Sequence, residues 1–248
     1  GVLFGLAISA RTYPVVLLLA VALVAVRAGR ARALVPVVGW ALAVVAALAG
    51  LLAWHNPQGA MRSYAAWLDS SAGFGSPWVM GQLSGSPWPT WLVTALAVSG
   101  WVLAILVGIW MALGRERRPA VAEVALVMLA IVLVTGKSFP VQASLWLVPL
   151  VALVGLRWRD HLIWAGAEAL HFGGVWLYLA GMSVADRGLP SGWYLLTLAV
   201  RVAGVLWLGM QTWWLATDRL PALFDPEEPD PLAGPLADAP DALVLRIA

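Results

Sequence analysis

Residues 121–156 contain two apolar runs, each about as long as a membrane crossing, with Lys137 between them. A bilayer crossing needs about 20 apolar residues, and a cation between two such runs is costly unless it lies at an interface or in a polar cavity. Lys137 is the chain's only lysine; the other 14 basic residues are arginines. This stretch predicts a polytopic membrane protein in which Lys137 either ends a span at the headgroups or marks a polar site.

The rest of the chain supports a membrane protein. Hydrophobic residues make up 62% and charged residues 11%, with a mean hydropathy of +0.86. We predict an all-α, polytopic transmembrane helix bundle over residues 1–218, followed by an acidic, proline-rich cytoplasmic tail, 219–248, whose composition is typical of disorder. The seven predicted spans are residues 13–26, 33–54, 89–113, 119–136, 140–156, 161–182 and 192–216.

Several classes of function find no support. The chain has no cysteine, and its three histidines are too scattered to suggest a metal cluster. Walker, HExxH and GxSxG motifs are absent, which argues against ATP-driven transport and hydrolase chemistry. The arginine clusters border predicted spans, so we expect no nucleic-acid partner. No cofactor is predicted, and a divalent metal is left open.

The distribution of basic residues predicts an orientation. If the spans alternate, nine arginines fall on one side, in loops 27–32, 115–118 and 157–159 and at Arg219. Positive residues favour the cytoplasmic side, so the tail is expected in the cytoplasm. The other side holds four basic residues, Arg11, Arg62, Lys137 and Arg187. Arg11, the 55–88 loop and the Lys137–Gln142 turn therefore share the external face.

Two cations on that face could bind a phosphate. Lys137 lies beside Gly136, Pro140 and Gln142, which predict an irregular, polar turn; such backbone is tolerated at membrane depth where it lines a cavity. Arg11 precedes a break near Tyr13, and a guanidinium suits phosphate bidentately. The alternative is that both cations only anchor helix ends at the interface.

The 55–88 loop offers aromatic and polar groups. Residues 57–69 could form an interfacial helix, and the Gly/Ser/Pro-rich remainder is expected to be a loop. The loop's Trp residues could stack on a sugar, or they could belong to the interfacial aromatic belt. Asp69 is the loop carboxylate placed for acid–base work, and it could equally be a solvated charge. The predicted apolar face of the helix consists of Met61, Tyr64, Trp67 and Leu68.

Glu168 and His171 lie three residues apart on one face of the sixth span. Buried ionisable groups in a span are functional candidates. We favour the interpretation that Glu168 is paired within the bundle. Arg201 of the seventh span is an available partner, because it is predicted to lie at a similar depth. Alternation of the spans places Glu168 in the cytoplasmic half, away from the external site.

The turn and the helix after it resemble a known sequence pattern. Residues 137–150, KSFPVQASLWLVPL, are similar to a late segment of integral-membrane GT-C glycosyltransferases, with family 87 as the nearest match. That family contains actinobacterial, polyprenyl-phosphate-mannose-dependent mannosyltransferase-like proteins, and its form is close to N-K-x-x-S-P-Q-Y-x-L-W-L-x-P-L. The matching residues are Lys137, Gln142, Leu145, Trp146, Leu147, Pro149 and Leu150.

Three other segments agree with the resemblance, in order and with similar spacing. Residues 5–14 look like the family's G-L-A-x-x-x-K-x-Y-P, with Arg11 for the lysine. Residues 75–78, GSPW, look like its D-W-G-S-L-W loop, with Gly73 where the aspartate would be. Residues 163–179 resemble its I-W-x-x-E-x-L-x-F span, with Glu168 at the acidic position.

The resemblance implies a GT-C-like carboxy-terminal part in the inner (cytoplasmic) membrane of a bacterium. It would transfer a hexose, expected to be mannose, from a polyprenyl-phosphate donor to an external glycolipid or polysaccharide acceptor. The acidic general base would lie upstream of residue 1. The non-catalytic alternative is a membrane subunit, or a protein that binds or flips a lipid-linked sugar. The implied donor-phosphate ligands are Arg11 and Lys137. The implied substrate contacts are Tyr13, Tyr64, Ser76, Trp78, Gln142, Trp146 and Glu168.

Overall fold

The computed structural model describes residues 1–184, 187–220, 236 and 239–245, apart from the side chain of Ser63. Helix accounts for 76% of these residues and none of them forms a strand, so the predicted all-α class is confirmed.

The described part of the chain contains ten α-helices and one 3₁₀ turn. The α-helices are α1 (Val2–Ala10), α2 (Pro14–Arg27), α3 (Ala31–His55), α4 (Pro57–Asp69), α5 (Val79–Leu83), α6 (Thr90–Leu113), α7 (Val121–Thr135), α8 (Ser144–Val154), α9 (Trp158–Ser183) and α10 (Ser191–Ala216). The 3₁₀ turn, Val141–Ala143, leads into α8.

Three of these helices are long and apolar enough to cross a membrane: α3, α6 and α10. The seven predicted spans correspond to α2, α3, α6, α7, α8, α9 and α10. The crossing of the other four helices, and the GT-C fold itself, stay predictions.

Helix α7 lies at the centre of the bundle. It packs against α2, α6, α8 and α10. Residues 124–130 are all buried, which requires neighbours on every side. Close packing between α6 and α7 depends on Gly100, since a Cβ there would lie 1.7 Å from Thr135 Oγ1. Small residues at such contacts let helices approach when the surroundings are apolar and the hydrophobic effect is weak.

The backbone between α7 and α8 turns inside the bundle. α7 has 15 residues and α8 has 11, against 26 each for α9 and α10. At 1.5 Å per residue these lengths are about 22 and 16 Å, against about 39 Å for α9 and α10. The turn is therefore brought level with the middle of the α9–α10 pair.

The predicted disordered tail lies mainly outside the described residues, and its disorder stays a prediction. Residues 239–245 are described, and their backbone contacts the ends of α2 and α6.

Candidate functional site

Arg201 of α10 holds the turn between α7 and α8. Its guanidinium is fully buried and lies 3.6 Å from the centre of the Phe139 ring. Nη1 donates to the carbonyl oxygen of Phe139, and Nη2 donates to the carbonyl oxygen of Pro140 at 3.0 Å. Nη2 also donates to Ser144 Oγ, and Nε to Glu168 Oε2 at 2.8 Å. Carbonyls outside a helix need partners in an apolar interior, and Arg201 supplies them here.

Glu168 completes this cluster. It forms an ion pair with Arg201 and accepts a hydrogen bond from Ser144 Oγ. The prediction that Glu168 is paired within the bundle is confirmed, and the partner is Arg201. The prediction that it lies away from the turn is wrong, because the short α7 and α8 bring the turn down to the level of Glu168, the eleventh residue of α9.

Lys137 lies at the end of α4. Its Nζ donates to the carbonyl oxygens of Trp67, Leu68 and Ser70 at 2.7, 3.1 and 2.9 Å. It is 4% exposed and lies 4.6 Å from the Trp67 ring centre. Burial lowers the pKa of Lys137 from its ordinary value, and the charge of Asp69 opposes that effect.

These contacts explain what Lys137 does in the fold. An ammonium group has three N–H donors, and the last carbonyls of a helix have no partner within the helix. Here all three donors satisfy carbonyls at the carboxyl end of α4, where a cation is also favoured by the helix dipole. The predicted phosphate role would need at least one of these bonds to be exchanged, so the geometry gives it no support.

The loop between α4 and α6 packs onto the same turn. Gly73 N donates to Lys137 O at 2.7 Å, and Ser76 Oγ donates to Gly136 O at 2.8 Å. Trp78 Nε1 donates to Thr135 O at 2.9 Å, and the Trp78 ring lies 5.4 Å from that of Trp88. Ser76 is fully buried. Ser76 and Trp78 therefore hold the loop against the end of α7.

Arg11 and Tyr13 reach the turn from the other direction. The Tyr13 ring stacks on Trp146 with centroids 4.4 Å apart and planes 12° apart. Arg11 is exposed, and no hydrogen bond or ion pair joins its guanidinium to the described residues. Gln142 is also exposed and lies in the 3₁₀ turn, four residues before Trp146. Arg11, Tyr13, Gln142 and Trp146 are grouped here as the Arg11 surface.

Tyr64 is separate from this surface. It lies on α4, the predicted interfacial helix, and is 70% exposed. The apolar face of α4 is open, because Met61, Trp67 and Leu68 are also more than 40% exposed. Asp69 is exposed at the end of α4.

Sequence reasoning did not single out two residues that the structure places at the turn. Ser144 links Arg201 to Glu168, and nothing in the sequence marks it. Tyr194 is fully buried, and its hydroxyl accepts a hydrogen bond from Gly75 N at 3.0 Å. Tyr194 is one of only four tyrosines and lies in an apolar run, which is a weak signal that its hydroxyl needs a partner.

No group of three or more His, Asp or Glu side chains that could hold a metal ion occurs in the described part of the chain. Comparison with known proteins gives no match to a protein-family profile, a curated protein or a solved structure.

Proposed function

We propose that the protein is a membrane glycosyltransferase that transfers a hexose, mannose on the resemblance to family 87, from a polyprenyl-phosphate donor to an external glycolipid or polysaccharide acceptor. The observation that carries the proposal is the Tyr13–Trp146 stack, because it joins the exposed Arg11 to the turn whose sequence resembles that family. Three helices suited to a bilayer support a lipid-linked donor, whose tail can remain between helices.

Arg11 is the proposed ligand of the donor phosphate. A guanidinium binds phosphate through two parallel hydrogen bonds, and it stabilises the negative charge that develops on the phosphate as the sugar leaves. Gln142 lies on the same surface and can donate to the phosphate or to a sugar hydroxyl. The exposed edge of the Tyr13–Trp146 pair offers an apolar face to the sugar ring or to the first isoprene units.

Glu168 and Lys137 take positioning roles in this proposal. A general base must be placed to accept a proton from the acceptor hydroxyl, and Glu168 Oε2 is already bound by Arg201 and Ser144 within the bundle. We therefore assign Glu168 to holding the turn and assign the general base to no residue of this chain. Lys137 fixes the end of α4 beside the turn.

In the proposed arrangement the seven predicted spans lie in the bacterial cytoplasmic membrane, with the turn between α7 and α8 in a cavity open to the outside. The Arg11 surface and the 55–88 loop face outward, and the tail faces the cytoplasm.

The test uses the full-length protein in membranes supplied with radiolabelled polyprenyl-phosphate-mannose. Arg11→Gln is compared with Arg62→Gln, since Arg62 is a second exposed arginine of the same predicted face and lies on α4, away from the turn. Hydrogen bonds to a charged group contribute about 1.5–3 kcal/mol, so we expect Arg11→Gln to reduce transfer about tenfold or more. Arg62→Gln should retain wild-type transfer. Equal transfer by wild type and Arg11→Gln would remove Arg11 from the site.

The second candidate is a non-catalytic protein that binds or flips the same lipid-linked sugar. It is favoured by the commitment of both Lys137 and Glu168 to contacts within the protein. The same membranes distinguish the two candidates when binding of a photoreactive donor analogue is measured beside transfer. Arg11-dependent binding without any labelled product would support the non-catalytic candidate.

A further inference from the structure

A second buried charged cluster lies at the other end of α2, centred on Arg27. Arg27 is the last residue of α2 and is fully buried. Its Nε and Nη2 donate to Asp241 Oδ2 at 2.9 and 2.6 Å. Its Nη1 donates to the carbonyl oxygens of Ala112 and Arg117 at 3.0 and 3.2 Å, and Nη2 donates to that of Glu116 at 2.6 Å. Arg27 thus joins the ends of α2 and α6 to the tail.

Arg118 binds the other oxygen of the same carboxylate. Its Nε donates to Asp241 Oδ1 at 2.7 Å, and its remaining nitrogens donate to the carbonyl oxygens of Leu236 and Ala239. The tail backbone adds three further bonds. Ala242 N and Leu243 N donate to Arg27 O at 2.7 and 3.3 Å, and Leu245 N donates to Leu113 O at 2.7 Å. Two guanidinium groups that share one carboxylate form an anion-binding site.

Two neighbouring acidic residues in the described part of the chain are already paired with a different arginine. Glu123 and Asp218 both pair with Arg117, at 2.9 and 3.0 Å. If the tail left, Arg27 would keep its carbonyl partners but lose its counter-ion, and a buried cation without a counter-ion is strongly unfavourable. Release of Asp241 therefore requires another anion at the same place.

The surroundings indicate which anion is within reach. The site lies where apolar helices end, at the level expected for lipid headgroups, and phosphate matches a carboxylate in its bidentate fit to guanidinium. Asp241 and Arg118 are partly exposed, with 28% and 21% of their side chains accessible, so a ligand can reach the site from the surface of the protein. The next tail residues, Leu243, Val244 and Leu245, are apolar and about 40% exposed, which suits contact with the membrane surface.

We propose that Arg27 and Arg118 form a phosphate-binding site for an anionic membrane lipid, with Asp241 of the tail as its tethered, exchangeable occupant. This site is independent of the glycosyltransferase proposal, since it uses none of the same residues.

The absence of cysteine makes a thiol probe specific. Ala239 is 5% exposed beneath Arg118, so the thiol of an Ala239→Cys variant reacts with a maleimide only when the tail opens. The labelling rate is measured for the full chain in vesicles of phosphatidylcholine, in vesicles containing phosphatidylglycerol, and in detergent with and without inorganic phosphate. Leu243→Cys is the matched control, because Leu243 is exposed while the tail is docked.

Labelling of the Ala239→Cys variant should rise about tenfold or more in phosphatidylglycerol relative to phosphatidylcholine, since tenfold corresponds to one charge-assisted hydrogen bond. Labelling of the Leu243→Cys variant should not change. Adding Asp241→Asn to Ala239→Cys should give fast labelling in every vesicle. An increase with inorganic phosphate as well would show that any phosphate can occupy the site, whereas an increase with phosphatidylglycerol alone identifies the lipid.

Two outcomes would overturn the proposal. Slow labelling in every lipid and with phosphate, together with fast labelling after Asp241→Asn, would make the tail a permanent structural strap. No effect of Asp241→Asn would show that the carboxylate does not hold the tail.

Discussion

Gly75 decides whether the loop before α6 can reach the turn. Its φ is +80°, in the left-handed region where a side chain is strained. A Cβ at this position would lie 1.8 Å from the carbonyl oxygen of Phe139, an oxygen that Arg201 also binds. Glycine is therefore required at this position of the GSPW segment for a steric reason. That reason becomes visible only when the loop is seen in contact with the turn.

Gly75→Ala should destabilise the protein more than Gly85→Ala. Both glycines have φ near +80°, but a Cβ on Gly85 would meet open space. Backbone strain therefore destabilises each alanine variant by about 1–2 kcal/mol. The clash with Phe139 destabilises only the Gly75→Ala variant further. Thermal unfolding of the purified protein in detergent measures both. Equal falls in Tm would mean that the loop does not pack on the turn as described.

Lys137→Met should release the end of α4. The substitution keeps an apolar stem and removes three donors, which leaves the last carbonyls of the helix without partners. Ala72, 5% exposed just after those carbonyls, provides the readout through thiol labelling of an Ala72→Cys variant. We expect labelling to rise at least about tenfold, the effect of losing even one of the three hydrogen bonds to the charged group, with Arg62→Met as a control on the same helix.

The contrary result has a defined meaning. Unchanged labelling combined with weaker donor binding would restore the phosphate role that the sequence predicts for Lys137.

At the scale of elements, the apolar runs predicted the positions of the helices along the chain. They did not predict how far each helix extends across the bundle. The breaks at Pro14, at residues 136–140 and near Arg157 follow from local chemistry that sequence exposes directly. The depth of the turn depends on how far α7 and α8 extend within the bundle, which packing decides. The sequence allowed us to predict that Glu168 pairs with Arg201. It did not allow us to predict that this pair contacts the turn.

The short helix α5 and the docked part of the tail were not predicted from the sequence, for a related reason. Both segments have the composition of loops. Composition indicates how buried a segment is on average, but it does not identify the residues that the segment contacts. Asp241 is one of several tail acids, and its two arginine partners are more than 100 residues away in sequence. Arginine clusters at span ends predicted orientation only; their use as an anion site required the folded ends of α2 and α6.

Tail docking should be lost in acid. Burial tends to raise the pKa of Asp241, but hydrogen bonds and charge from Arg27 and Arg118 outweigh it and hold the pKa below its ordinary value. A depressed pKa contributes stability that is present above the ordinary aspartate value, about 4, and is lost as pH falls through the lower docked value. The other charged groups of the cluster are Arg117, Glu123 and Asp218.

Hydrogen exchange of the Ala242 and Leu245 amides measures this loss, after correction for the intrinsic pH dependence of exchange. Both amides donate to backbone carbonyls at the docking site, so their protection should fall as the pH drops below the ordinary aspartate value of about 4. The Gly75 amide, bonded to the Tyr194 hydroxyl, should keep its protection. Protection of the tail amides that shows no decline below about pH 4 would show that Asp241 is not what docks the tail.

At the scale of the whole molecule, charge is sorted along the bundle. Arg27, Arg117 and Arg118 gather with their acidic partners at one end of α2, whereas Tyr13, next to Arg11, meets Trp146 at the other. Between the ends, large apolar side chains are exposed on α3, α6, α9 and α10, as expected for surfaces that face hydrocarbon. The Glu168–Arg201 pair is the charged contact at mid-height among the described residues, and it is enclosed by α9, α10 and the turn.

This arrangement predicts opposite membrane sides for the loop before α6 and for the tail. In intact cells, an impermeant maleimide should label a Ser86→Cys variant, because Ser86 is exposed in the loop that we assign to the outside. A Leu243→Cys variant, exposed in the tail, should be labelled only after the membrane is permeabilised. The nine arginines near the tail favour that side as cytoplasmic. Labelling of both variants from outside would require an even number of crossings between them, which contradicts the odd number proposed for α6 to α10.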